Sequence, residues 1–130
     1  MQTVILSINK PHTDNIFDGI KKLEARKNFP YIESPYKVLV YETKKNKGVG
    51  AIIGEFFCPY CLCYTNGYDE DIERIKKETC LTEKQLADYL NNKKPYFWGI
   101  EKPKRYKTKI PLPLFNVEHP PQSWCYLYPD

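Results

Sequence analysis

Five short stretches rich in β-branched and aromatic residues, and a sixth that alternates apolar with charged residues, are spread along this chain, and links containing Pro, Gly or Asn separate most of them. They are Val4–Ile8, Lys22–Lys27, Lys37–Glu42, Val49–Phe57, Tyr96–Tyr106 and Trp124–Tyr128, the fourth continuing toward Tyr64 across an interruption at Pro59. Runs of this length and composition read as strands. Helices do not alternate with them, which disfavours a doubly wound α/β fold. Short strands with few helices to cover them must hide their edges, and closing into a small barrel does so. The expected class is therefore α+β, a small β-barrel with helices flanking its mouth. With 130 residues the chain is one domain, residues 1–130.

The helical signals are few. Residues 13–18 predict a short helix with Thr13 as its N-cap and Gly19 as its stop. A thin apolar face of Ile72 and Ile75 predicts a second helix over about Asp69–Lys77, after the turn signal Asn66-Gly67. The third is marked best. Thr82-Glu83-Lys84-Gln85 fits a capping box, Leu81 and Leu86 are placed for a hydrophobic staple, and Leu86, Tyr89 and Leu90 recur at helical spacing. In the second strand, Leu23 and Ala25 alternate with Lys22, Glu24 and Arg26, so the charged side chains share one face.

Charge narrows the partners. The net charge is +4, with a basic N-terminal half, an acidic middle and a basic C-terminal stretch. From Lys93 to Lys109 cations are interleaved with Tyr96, Phe97, Trp98 and Tyr106. Cations attract phosphates and aromatic faces stack bases, a mixture suited to single-stranded nucleic acid. The same pattern is what a solvated strand with core-facing aromatics would show. No apolar run reaches the roughly 20 residues that span a bilayer, and the N-terminus has no signal-peptide character, so a cytoplasmic, membrane-free location is expected. The five cysteines include Cys58-Pro-Tyr-Cys61-Leu-Cys63, but no second ligand pair stands at zinc spacing and no helical period follows the CxxC. Cys58, Cys61 and Cys63 read as small buried strand cysteines, and no metal or other cofactor is expected. Walker A, G-x-G-x-x-G, H-E-x-x-H and G-x-S-x-G patterns are missing, which leaves triphosphate hydrolysis, dinucleotide chemistry and serine hydrolysis without support.

Gly19-Ile-Lys21-Lys-Leu-Glu24-Ala-Arg26, preceded by a strand and Lys10-Pro11-His12, resembles the G-x-K-x-x-E-x-R pattern of the ASCH domain, a PUA-like β-barrel family. Cys80–Leu90, the run near Trp98-Gly99-Ile100 and the ending Pro120–Tyr126 are similar to small ASCH proteins encoded by phages and prophages. The resemblance implies a cleft lined by the motif's Lys, Glu and Arg, and an RNA-binding or nucleic-acid-binding role. Some related small members are amidohydrolases that deacylate N4-acetylcytidine. Those are similar in Gly19, Lys21 and Arg26, have a threonine nucleophile where Glu24 stands, and carry a second carboxylate within about one residue of Glu78.

Taken as chemistry, Arg offers a planar fork to phosphate, Lys a point charge, and Glu an acceptor for an exocyclic amine. Lys21 is out of phase with Glu24 and Arg26 in an ideal strand, so convergence requires it to lie in the turn after Gly19. The expected partner is RNA or single-stranded nucleic acid, held by Lys21, Glu24 and Arg26, with backbone contacts from Lys10, Lys102, Lys104 and Arg105. The alternative is hydrolysis of a modified nucleoside by Lys21, Glu24 and Glu78. A third reading makes the acidic segment Asp69–Glu78 a protein-docking site. His12 reads as a structural hydrogen-bonder, His119 as loop, and Trp98 and Trp124 as core.

Overall fold

The computed structural model describes residues 1–63, 72–92 and 95–128. Eight strands and three helices follow one another as β1 (Thr3–Ile8), α1 (His12–Phe17), β2 (Leu23–Arg26), β3 (Tyr36–Glu42), β4 (Ala51–Cys58), β5 (Cys61–Cys63), α2 (Ile72–Thr79), α3 (Glu83–Asn92), β6 (Tyr96–Gly99), β7 (Glu101–Ile110) and β8 (Trp124–Leu127). The class is the expected α+β. The strands fall into two sheets, ordered β7-β4-β3-β1-β8 and β2-β6-β5, and among the described residues no ladder joins them into a ring. No helix among those residues is long and apolar enough to cross a membrane.

β1 explains the larger sheet. Its run Val4-Ile5-Leu6 is wholly buried, because both faces are covered. Val4, Leu6 and Ile8 pack with Val38, Val40, Phe56 and Trp98 between the sheets, while Ile5 joins Leu39, Tyr41, Ile52 and Leu112 on the other face. A strand buried on both faces loses the alternation of a half-exposed one. β1 pairs in parallel with β3 and antiparallel with β8. A parallel neighbour needs a long crossover, and α1, β2 and the loop before Pro35 supply it.

Two expected strands turn out to be divided between the sheets. The run Tyr96–Tyr106 splits at Ile100 into β6 in the small sheet and β7 in the large one, with Lys102 at a φ of 49° just past the break. Likewise β4 ends at Cys58, and after Pro59-Tyr60 the chain enters the small sheet as β5. The outer face of that sheet, Leu23, Ala25 and Phe97, is covered by Ile75 of α2 and Leu86 of α3.

The capping box forms as expected: Thr82 N–H donates to Gln85 Oε1 at 2.8 Å, and Gln85 N–H to Thr82 Oγ1 at 3.1 Å. Leu81 packs in the same cluster as Leu86. Helix α2 runs Ile72–Thr79; the expected start at Asp69 and the Asn66-Gly67 turn lie outside the described residues, as do the side chains of Tyr89 and Leu90. Thr13 is not an N-cap. It is buried inside α1 and donates to Glu42 Oε1 at 2.6 Å, because the buried Glu42 carboxylate needs a partner more than the helix end does.

Gly54 on β4 marks a place where the backbone leaves no room. A β-carbon there would lie 2.5 Å from the Lys104 carbonyl oxygen and 2.5 Å from the Phe17 ring. Gly54→Ala is expected to destabilise the fold by about 1–3 kcal/mol through that overpacking. Urea unfolding with an unchanged midpoint would contradict it.

Candidate functional site

The site is assembled where β1 ends, α1 begins and β2 follows. Gly19, at a φ of 77°, turns the chain out of α1. The link that follows is pinned by its backbone: Ile20 and Lys21 N–H both donate to the Asn15 carbonyl, and Lys22 N–H donates to that of Glu78 at 2.7 Å. Lys21 therefore sits in the turn rather than in phase with β2, as convergence requires. Its side chain is 1% exposed. The ammonium donates to the Thr79 carbonyl in the last turn of α2 and lies 3.2 Å from Glu24 Oε1. Carbonyls at a helix C-terminus lack intrahelical partners and carry partial negative charge, which suits a cation there.

Glu24 is held from the other side by Arg26. The guanidinium reaches Glu24 Oε2 with Nε at 2.8 Å and Nη2 at 2.7 Å. The same Arg26 donates to the Ser7 carbonyl at 2.7 Å and to Ser123 Oγ at 3.1 Å, tying β1 and the segment before β8 to β2. Burial pushes the Glu24 carboxyl upward, but Lys21 and Arg26 together outweigh it and hold the group below its usual value of 4.5. Glu24 is thus a buried, ionised carboxylate clamped between two cations. A carboxylate has about four acceptor positions; among the described residues Arg26 Nε donates a hydrogen bond to Glu24, while Lys21 and Arg26 Nη2 stand at ion-pair distance, so acceptor capacity is left for a ligand.

His12, the first residue of α1, completes the array. Its Nδ1 is buried and has no hydrogen-bond partner among the described residues. Burial first, and Lys21 next, lower its pKa below the usual 6.5, so the ring is neutral at pH 7. The cleft above these groups has a volume of about 580 Å³ and is lined by Asn9, His12, Lys21, Glu24, Arg26 and Lys27, with Leu81, Gln85 and Asp88 closing it from the start of α3. Among the described residues no three His, Cys, Asp or Glu side chains are grouped to hold a metal ion.

The two shifts make stability depend on pH in the same direction. The unfolded chain accepts protons that the folded one refuses. The stability Glu24 contributes is present above 4.5 and lost as pH falls through its lower folded value. For His12, stability drops as pH falls from 6.5 toward its depressed folded value. The melting temperature is expected to fall on acidification below neutral pH, and His12→Gln to flatten the first part of that decline. A wild-type melting temperature constant from pH 7 to pH 4 would contradict both assignments.

The other expected site residues are placed elsewhere. Glu78 does not line the cleft; its carboxylate receives Arg74 Nε at 2.8 Å, one helical turn away, and only its backbone serves the Lys21 turn. Lys10 lies 3.6 Å from Asp14, and Arg105 reaches the same carboxylate at 3.1 Å while stacking over Phe17. Lys102 and Lys104 are exposed on β7 and do not line the cleft. In the basic stretch Phe97 and Trp98 are buried and Tyr106 donates to Glu55 Oε1 at 2.6 Å, so those aromatics face inward; Lys93 and Lys94 lie outside the described residues. Trp124 is half-buried, its indole N–H on Asn28 Oδ1 at 2.7 Å. In the acidic segment Glu73 pairs with Lys76 and Glu78 with Arg74, while residues 69–71 are outside the described ones. Sequence reasoning undervalued His12 and missed Lys27 and Asp88; Lys27 directly follows the motif, the one signal that pointed to it.

No protein-family profile and no curated protein sequence matches the chain. Solved structures do. The chain is similar to the ASCH protein from Zymomonas mobilis at 21% identity, with a TM-score of 0.80 over 97% of this chain and 87% of that one. A point-mutant form of the same protein aligns at 20% identity and a TM-score of 0.79, over 98% and 91% of the two chains. A hypothetical protein aligns less closely, with a TM-score of 0.54 at 12% identity over 80% of this chain and all of that one. At such identities the likeness is one of fold.

Proposed function

We propose that this chain, which has the fold of the ASCH domain proteins, is a PUA-like module of the cytoplasm that binds RNA or single-stranded nucleic acid by seating an amino-bearing base in the cleft. The observation that carries the reading is the Glu24 carboxylate, ionised and clamped between Lys21 and Arg26 on the floor of a cleft large enough for a nucleoside. A fixed carboxylate with acceptor capacity to spare suits the exocyclic amine of cytosine. Lys21 and Arg26 spend their donors on orienting it, so phosphate contacts fall to the exposed cations Lys27, Lys102 and Lys104. Lys10 and Arg105 share Asp14 and add less.

The test is fluorescence anisotropy with labelled single-stranded oligocytidine and oligouridine across a salt series. Oligocytidine is expected to bind more tightly by about 1–3 kcal/mol, with affinity falling as salt rises. Equal affinity for the two, or binding indifferent to salt, would overturn the reading.

One observation favours a second reading. Lys21 and Glu24 lie 3.2 Å apart in a buried array beside a neutral His12, which is also how an acid–base site for amide hydrolysis is built. Glu24 would activate water toward the acyl carbonyl of an N4-acylated cytidine, with Asp88 rather than Glu78 as the second carboxylate at the cleft. Release of cytidine from N4-acetylcytidine, lost in a folded Glu24→Gln variant, would establish it.

A further inference from the structure

A second cluster lies at the other edge of the small sheet, where β5 ends the order β2-β6-β5. Cys58 is the last residue of β4 and is fully buried; Cys61 opens β5 and is half-buried. Their sulfurs are 3.9 Å apart across the Pro59-Tyr60 turn. The Tyr36 hydroxyl is 3.2 Å from Cys61 Sγ, and the Cys58 S–H has two acceptors in reach, the Tyr60 carbonyl at 3.2 Å and the Cys61 sulfur, to which it turns when Cys61 ionises. The turn itself is anchored, because Gly99 N–H donates to the Tyr60 carbonyl at 2.9 Å and the Tyr60 ring covers Gly99. Two thiols are thus held in near contact across an anchored turn. A disulfide requires sulfurs about 2.05 Å apart, so closure must bring the two sulfurs closer by a little less than one S–S bond length.

We propose that Cys58 and Cys61 form a reactive dithiol site that hydroperoxides oxidise to an intramolecular disulfide, with Cys61 attacking and Cys58 resolving. The two sulfurs are chemically unequal. The Cys58 thiol and the Tyr36 hydroxyl stabilise a Cys61 thiolate, pulling that group down to about 7 against the effect of burial. The hydrogen bond with Cys61 and, next, burial hold Cys58 in its protonated form. Tyr36, buried, keeps its proton and remains a donor. The activating helix N-terminus usual behind a redox CxxC is replaced here by a tyrosine from β3.

The chemistry balances with the hydroperoxide as oxidant. The Cys61 thiolate attacks the terminal peroxide oxygen; the O–O bond breaks, giving a Cys61 sulfenic acid and an alkoxide or hydroxide that takes a proton from solvent. The Cys58 sulfur then attacks the Cys61 sulfur, the S–O bond breaks, and the departing hydroxide leaves as water with the Cys58 proton. The pair of thiols loses two electrons, which reduce one peroxide. Cys63, exposed two residues further on, has no such thiol or hydroxyl partner among the described residues, and it supplies the internal control.

The test treats the full chain with hydrogen peroxide, alkylates the remaining thiols with iodoacetamide and maps a chymotryptic digest, whose cuts after Tyr60 and Leu62 separate the three cysteines. A disulfide joining Cys58 to Cys61, with Cys63, Cys80 and Cys125 alkylated, is the expected result. Without oxidant at pH 7, Cys61 is expected to alkylate several-fold faster than Cys63 in spite of its lower exposure. Cys58→Ser is expected to leave a sulfenic acid at Cys61 that a cyclic dione captures, and Cys63→Ser to leave the disulfide unchanged. Oxidation spread evenly over the five cysteines, a disulfide that includes Cys63, or slower alkylation of Cys61 than of Cys63 would overturn the proposal, and none of these three readouts needs a variant to fold.

Discussion

Lys21→Met is expected to cost about 3–5 kcal/mol of folding stability and to abolish ligand binding in the cleft. Methionine fills most of the lysine's volume, so the loss is electrostatic. Glu24 keeps Arg26 but loses the cation on Oε1, and the Thr79 carbonyl at the end of α2 loses its donor. Breaking a buried pair by removing one partner leaves the other charge uncompensated, which is where the magnitude comes from. The measurement is urea unfolding of wild type, Lys21→Met, Glu24→Gln and the double variant. The double variant should be less destabilised than the two single losses added together, since each removes the reason for the other. Additive losses would show that the two side chains do not act as a unit, and a Lys21→Met variant within about 1 kcal/mol of wild type would contradict the clamp.

Trp98→Ala is expected to be as severe, about 3–5 kcal/mol, for a different reason. Trp98 is 0% exposed at the centre of the small sheet. Its ring meets Tyr36 and Trp124 edge-on at 5.8 and 6.0 Å, and its indole N–H donates to the Asn28 carbonyl at 3.1 Å. In register it lies between Glu24 on β2 and Cys61 on β5. Truncation would leave a cavity under both and free the Asn28 loop that follows the cleft. Trp98→Phe should recover most of the packing and lose the hydrogen bond. Urea midpoints separate the cases; a small loss for Trp98→Ala would place the indole outside the core.

The parts of this fold that were legible in the sequence are those governed by neighbours in the chain. The α3 capping box and staple need only residues 81–86, and both form. Alternation in Leu23–Arg26 put Glu24 and Arg26 on one face, and they pair at 2.7–2.8 Å. Gly19 stops α1 and turns Lys21 back toward Glu24. Local geometry also misled. Thr13 has a capping residue's chemistry, yet a buried carboxylate on β3 claims it. Glu78 is placed near the motif, yet Arg74 one helical turn away captures it.

Most of the strands, the third helix and the Glu24–Arg26 pair of the second strand were settled by the sequence alone, because backbone propensity, side-chain period and short-range capping act within a few residues. Only the tertiary structure decided which sheet each strand joins, that Lys21 ends on a carbonyl 58 residues away, that His12 is buried beside it, and that Tyr36 stands over the Cys58–Cys61 pair. The physical reason is the same in each case. A buried polar atom takes whichever partner the packed chain brings within hydrogen-bond reach, and that partner's distance along the chain leaves no mark on the local sequence.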